Sequence, residues 1–191
     1  MKKLLLLLLL PAFFWGCSNQ NYIDNITEIP LKNLEGEVKK LPSLDDGGFY
    51  VVIFYSPECP LCIDYTYSYN AIVQNWNNDN FNFYTIFPGA FYEADEIRFF
   101  RSKYNLQSDI LLDRENKLAT AFNAKVTPEV FVIDNSGKVL YSGAIDNRMP
   151  ELGVRRTEIT EFYLKSTLKA LSTNEQLKYT RTEAVGCLIE F

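Results

Sequence analysis

The run Phe49-Tyr50-Val51-Val52-Ile53-Phe54-Tyr55, followed at once by Ser56-Pro57-Glu58-Cys59-Pro60-Leu61-Cys62, decides how this chain is read. The first seven residues are apolar, aromatic and β-branched, which predicts a buried strand. Beyond Cys62 the spacing turns helical, and Tyr65, Tyr69, Ile72, Val73 and Trp76 fall on one buried face. Two cysteines separated by two residues therefore stand on the first turn of a helix that follows a strand. The start of a helix carries partial positive charge and free backbone N–H groups, and both stabilise a thiolate. Such a pair can close a small, slightly strained disulfide. Cys59 is expected to face solvent and attack, and Cys62 to resolve the resulting mixed disulfide.

Other readings of the pair are a structural disulfide or half of a metal site. A four-thiolate zinc site needs a second C-x-x-C, and the chain has four cysteines and no such second pair. It also has no histidine. That excludes His-containing zinc and copper sites, Ser-His-Asp hydrolysis and Cys-His nucleophiles. No metal site and no cofactor is expected.

The chain has 191 residues, 47% of them apolar and 15% aromatic, which suits one domain whose core is partly filled by Phe and Tyr. Its formal charge is −5, and loss of Lys2 and Lys3 makes it more negative. An acidic surface argues against nucleic acid as a partner. Residues 1–16 have the plan of an export signal, with Lys2-Lys3 as basic start, Leu4 to Leu10 as apolar stretch and Gly16-Cys17 at the end. The apolar stretch is shorter than the roughly 20 residues of a membrane span. A small residue before Cys17 resembles the bacterial lipobox, in which the cysteine is lipidated and becomes the new N-terminus. Phe14 and Trp15 depart from the residues usual there, and a plain secretory signal is the other reading. Either way the domain is exported to the cell envelope, where disulfides persist. The lipid on Cys17 would hold it to a membrane.

Residues 17–29 are polar and read as a tether to the domain at 30–171. Leu31 to Leu41 suggests a short hairpin around Glu35-Gly36. Strands are predicted at Phe81–Phe87, Ile110–Leu112, Glu129–Asp134 and Lys138–Gly143, the last two joined by Asn135-Ser136-Gly137. Helices are predicted at about Ala94–Tyr104, Leu118–Phe122 and Glu158–Leu171, with Thr157 as N-cap of the last. Residues 172–191 form a polar C-terminal tail that ends Gly186-Cys187-Leu188-Ile189-Glu190-Phe191. This order predicts an α/β fold with a central mixed β-sheet flanked by helices, an N-terminal hairpin and a C-terminal tail.

Three stretches together carry a resemblance: Tyr55 to Cys62, Val126-Thr127-Pro128-Glu129-Val130-Phe131-Val132-Ile133-Asp134, and Gly137-Lys138-Val139-Leu140-Tyr141. Over about residues 30–171 the chain resembles the redoxin branch of the thioredoxin superfamily. That branch includes the exported TlpA-like thiol–disulfide oxidoreductases and the AhpC/TSA group. The resemblance implies a thioredoxin fold, Cys59 as nucleophile, Cys62 as resolving thiol, and Pro128 as a cis-proline that lies against the pair and helps bind a substrate peptide. It also implies protein thiols or disulfides, and a redox partner protein, as partners. Glu58 departs from the Trp or Ala common before the first cysteine, and a carboxylate there disfavours the thiolate.

Rival and accessory readings stay open at this stage. Peroxiredoxins are similar to one another in a Pro-x-x-x-Thr/Ser-x-x-Cys signature plus an arginine. Ser56 fits the hydroxyl position, Val52 stands where the proline belongs, and Arg148, Arg155 or Arg156 would supply the guanidinium unless they form a solvated basic loop. A copper-binding module that uses two thiolates is the non-enzymatic alternative. Glu129, beside Thr127-Pro128, is either a base for Cys62 or a hydrogen-bonded strand-end carboxylate. Cys187 is the odd cysteine once Cys17 and the pair are assigned. It is either a third redox thiol or a small apolar residue that anchors the tail beside Leu188, Ile189 and Phe191.

Overall fold

A computed structural model of the chain describes residues 22–44, 47–78 and 80–191. The export signal, Cys17 and the start of the tether lie outside the described residues.

The apolar run becomes strand β3, Phe49–Phe54, whose neighbours are buried on both sides. Successive side chains in a strand point to opposite faces, so the run supplies two cores at once. Val51, Ile53 and Tyr55 join one apolar cluster; Tyr50, Val52 and Phe54 join the other. Each such side chain contributes on the order of 1.5–3 kcal/mol by leaving water. Around β3 the chain lays out β1 (Leu31–Lys32), β2 (Val38–Lys39), α1 (Pro60–Trp76), β4 (Phe81–Pro88), α2 (Ala94–Tyr104), β5 (Asp109–Asp113) and α3 (Lys117–Phe122). After these come β6 (Val126–Thr127), β7 (Glu129–Asp134), β8 (Val139–Gly143), α4 (Tyr163–Ser172) and β9 (Cys187–Leu188).

Seven strands form one mixed sheet in the order β2-β1-β5-β4-β3-β7-β8. Strands β3, β4 and β5 run parallel, and β7 pairs antiparallel with both β3 and β8. Tyr65, Tyr69 and Val73 of α1, Ile97 and Phe100 of α2, and Leu164 and Leu168 of α4 cover one face; Leu118 and Phe122 of α3 cover the other. This is the thioredoxin fold that the sequence predicts. The hairpin β1–β2 pairs as expected, Leu31 opposite Lys39. The capping box of α2 is complete, with the Glu93 backbone N–H donating to the Glu96 carboxylate.

Two segments differ from their sequence reading. The last helix begins at Tyr163 rather than near Glu158, and Thr157 caps nothing in it. The Asn147 side chain accepts the backbone N–H groups of Thr160 and Glu161, which holds that stretch outside the helix. Residues 22–29 are no free tether. Ile23 and Ile26 are buried in the second core, and the Ile23 N–H donates to the Gly137 carbonyl at 2.8 Å. Gly137 has φ 88°, and a Cβ there would sit 2.4 Å from the Ile23 carbonyl oxygen, so only glycine lets this segment dock. The C-terminal tail is docked on the domain. Thr182 bonds to Ser142 and Ala144 at the edge strand β8, and β9 pairs antiparallel with β6, setting Thr127 opposite Cys187.

Candidate active site around Cys59

Cys59 is the N-cap of α1, and Pro60 occupies the first helical position, where its missing N–H costs nothing. The three-residue step along the first turn brings Cys62 back to within 3.8 Å of Cys59. Both are free thiols. Cys62 is fully buried beneath the turn and accepts the Ser56 backbone N–H at 3.4 Å. The peptide bond between Thr127 and Pro128 is cis, and the Thr127 carbonyl oxygen lies 3.1 Å from the Cys59 sulfur, to which the protonated thiol form donates. The C-x-x-C turn and the Thr127-Pro128 turn, 65 residues apart in the chain, thus meet at one sulfur atom.

The two thiols of the pair are driven in opposite directions. Hydrogen bonding from the Cys62 side chain, helped by Cys187 and by backbone N–H groups, outweighs desolvation and lowers Cys59 from 9.0 to about 5. Burial, with the negative charge of Cys59 beside it, pushes Cys62 well above the ordinary thiol value. The first shift favours the thiolate of Cys59, and the second favours the protonated thiol of Cys62. A low-pKa thiol beside a high-pKa one suits thiol–disulfide exchange, in which the thiolate is the nucleophile.

One expectation fails. Cys59 does not face solvent: it is 1% exposed. The cause is the tail. Strand β9 lies against β6, and the Cys187 thiol donates to the Cys59 sulfur at 2.7 Å. A cleft remains beside Cys59 and Cys187, lined by Ser56, Glu58, Phe91, Tyr92 and Leu188 among others. Glu58 is exposed at its rim.

The other predicted residues separate. The Ser56 hydroxyl donates to the Tyr92 hydroxyl at 2.9 Å, a contact the sequence did not announce. Glu129 accepts the backbone N–H groups of Lys125 and Val126, so it is the hydrogen-bonded strand-end carboxylate. Burial raises its pKa despite those bonds. Arg148 belongs to another place. It is buried, bonded to both oxygens of Asp146 and to Ser68, and stacked over the Tyr65 ring. It is neither a solvated loop residue nor part of the cleft wall. Arg155, which pairs with Asp64, and Arg156 are exposed. Among the described residues no group of three or more His, Cys, Asp or Glu is placed to hold a metal ion, and no helix is long and apolar enough to cross a membrane.

The AhpC/TSA family pattern matches residues 23–142. The chain belongs to the AhpC/TSA family. This AhpC/TSA chain lies within the redoxin branch of the thioredoxin superfamily, and membership implies oxidoreductase chemistry in general terms. Among solved structures it is similar to a hypothetical protein of Sinorhizobium meliloti 1021, with 20% identity, TM-score 0.73, and 85% of this chain and 90% of that one covered. It is also similar to a secreted Mycobacterium tuberculosis disulfide oxidoreductase homologous to E. coli DsbE, with 24% identity, TM-score 0.51, and coverage of 61% and 83%. A thioredoxin-like protein of Porphyromonas gingivalis aligns at 19% identity and TM-score 0.57, over 78% and 92% of the two chains. At these identities the likeness is one of fold. No curated protein sequence matches the chain.

Proposed function

We propose that this protein is a thiol–disulfide oxidoreductase of the cell envelope, with Cys59 as nucleophile, Cys62 as resolving thiol and Pro128 as the cis-proline beside them. The observation that carries the reading is the pair itself: two free thiols 3.8 Å apart at the start of α1, one favoured as thiolate and one as thiol. The Cys59 thiolate attacks a sulfur of a substrate disulfide, one substrate thiolate leaves, and Cys62 displaces the other as the Cys59–Cys62 disulfide closes. In the opposite direction a substrate thiol attacks the closed pair. Export is supported by the Lys2-Lys3, Leu4–Leu10 and Gly16-Cys17 pattern, and a lipid on Cys17 would tether the domain to its membrane. The secreted mycobacterial neighbour agrees with that setting.

A peroxidase reading has less support. No arginine lines the Cys59 cleft among the described residues, and the Ser56 hydroxyl is engaged by Tyr92. The test is a titration of the purified protein with dithiothreitol or glutathione buffers, read by thiol trapping and mass. A reversible two-electron couple that vanishes in Cys59→Ser is expected. A potential near about −270 mV would mark a reductase, and one near about −120 mV an oxidant. Absence of any reversible couple would sink the proposal.

A further inference from the structure

The tail reaches the active cysteine by a route that a chance contact would not need. It is tied first to the sheet edge, where the Thr182 hydroxyl meets the Tyr141 hydroxyl at 2.6 Å and its N–H donates to the Ser142 carbonyl. It then crosses to β6 and adds to it as an antiparallel strand, Val126 opposite Leu188 and Thr127 opposite Cys187. The Ile189 N–H donates to the Lys125 carbonyl at 2.9 Å, and the Asn116 side chain donates to the Glu190 carbonyl. Gly186 makes the crossing sterically allowed: a Cβ there would lie 2.2 Å from the Thr127 carbonyl oxygen. An extended peptide that adds to an open strand edge uses backbone pairing for affinity and side chains for specificity. The tail pairs with the segment that ends in the cis Thr127-Pro128 bond, and it presents a cysteine directly to Cys59.

Cys187 packs against the edge of the first core, but anchoring alone does not account for it. Ile189 is the buried residue of the segment, whereas Leu188 is 80% exposed and Phe191 69% exposed, and Cys187 itself is partly open to the cleft. The one residue that faces the reactive sulfur is the one that has sulfur chemistry of its own. Its position opposite Thr127 is also the position at which a peptide laid along β6 would carry the sulfur that Cys59 attacks.

We infer that Cys187 is a third redox thiol, the internal exchange partner of Cys59, and that β9 holds the seat of a substrate strand. The inference rests on the thiol–disulfide reading above. Starting from the closed pair, the Cys187 sulfur gives up its proton and attacks the Cys59 sulfur. The Cys59–Cys187 bond forms and the Cys59–Cys62 bond breaks. Cys62 leaves with the electron pair and takes up the proton. No electrons are gained or lost, so the two disulfides are isomers of one oxidation state. In the Cys59–Cys187 form the tail is locked over the cleft. Return attack by Cys62 frees it.

The experiment uses the reduced, purified protein, oxidised with graded oxidised glutathione, quenched in acid and mapped by peptide mass. In Cys62→Ser, Cys59 attacks glutathione disulfide and Cys187 then displaces glutathione. The expected product is an intramolecular Cys59–Cys187 disulfide with at least a tenfold excess over Cys59 capped by glutathione. Cys59 capped by glutathione with Cys187 still a free thiol would overturn the inference. In the unaltered protein both disulfide isomers are expected. Exclusive Cys59–Cys62, with Cys187 unreactive toward exchange at every glutathione ratio, would also overturn it. The broader reading is judged separately in Cys187→Ser. A Cys59–Cys62 disulfide there upholds thiol–disulfide exchange whatever the tail does, and its absence there counts against exchange through the pair.

Discussion

Two cysteines stand beside Cys59, and they arrive by opposite means. Cys62 is three residues along the same helix, fully buried, and placed by backbone geometry alone. Cys187 is 128 residues away, partly exposed, and placed by a two-residue strand laid across the cis Thr127-Pro128 turn. Burial and the neighbouring charge of Cys59 raise the pKa of both. The first contact comes with the fold of α1 and cannot be lost without unfolding it. The second depends on a few backbone hydrogen bonds and one anchored isoleucine, so it can open while the domain stays folded. A site built this way has one fixed thiol beside Cys59 and one removable one.

The comparison breaks outright if Cys59 is not the shared centre. Replacing it, in Cys59→Ser, is expected to abolish disulfide exchange and to leave Cys62 and Cys187 unable to pair with each other in the folded protein. Insulin reduction and peptide mapping both report this, and residual exchange would mean that a different sulfur leads. The acidity of Cys59 sharpens the same point. With its pKa near 5 rather than 9.0, the thiolate persists well below neutrality. At about pH 6 its fraction exceeds that of an ordinary thiol by roughly a thousandfold. Iodoacetamide modification of reduced Cys59 should therefore stay level from about pH 8 to about pH 6 and reach half its rate near pH 5. A rate that falls tenfold per unit from pH 8 would remove the basis for an attacking role. The linked stability has a definite sign. A group whose pKa is depressed on folding stabilises the fold in full above its unfolded value, here 9.0, and that contribution is lost as pH falls through about 5. Denaturant midpoints of the reduced protein should accordingly rise between those limits more steeply than those of Cys59→Ser.

The difference between fixed and removable contacts has a stability signature. Ile53→Ala removes a fully buried side chain from β3 and should cost about 2–5 kcal/mol of global stability in urea unfolding. Ile189→Ala trims the tail's anchor instead. Its effect should appear as local opening, with amide exchange at position 189 about tenfold faster and the unfolding midpoint almost unchanged. An equal global loss from both would show that the tail is part of the cooperative core. The smallest expected change is Gly186→Ala. Its new methyl must push β9 off the Thr127 carbonyl. Alkylation of Cys59 should then rise by about tenfold, equivalent to about 1.4 kcal/mol of tail opening, with little loss of stability. No change in that rate would mean that β9 does not guard Cys59.

How much of this was legible beforehand follows the distance over which each contact acts. The bounds of α2, the strand at β3 and the hairpin β1–β2 were readable because apolar spacing and charged helix ends are local signals. The helix start at Tyr163 was not, because the Asn147 side chain that holds Thr160 and Glu161 outside the helix comes from another segment. Arg148 looked like a surface cation, since nothing local says that Asp64 and Ser68 of α1 will enclose it. Tyr92 carried no signal at all, whereas Gly186 before Cys187 did, as the one residue type that lets two backbones touch.

By itself, then, the sequence determined a βα unit with two cysteines on one helical turn, a proline before the strand that pairs with it, and the family to which such a chain belongs. Those are consequences of backbone periodicity and of residue types that act within a few positions. Tertiary structure alone decided that Cys59 is covered and that Cys187 covers it. A tail's destination is set by the sum of many weak pairings with distant partners, and no stretch of sequence holds that sum.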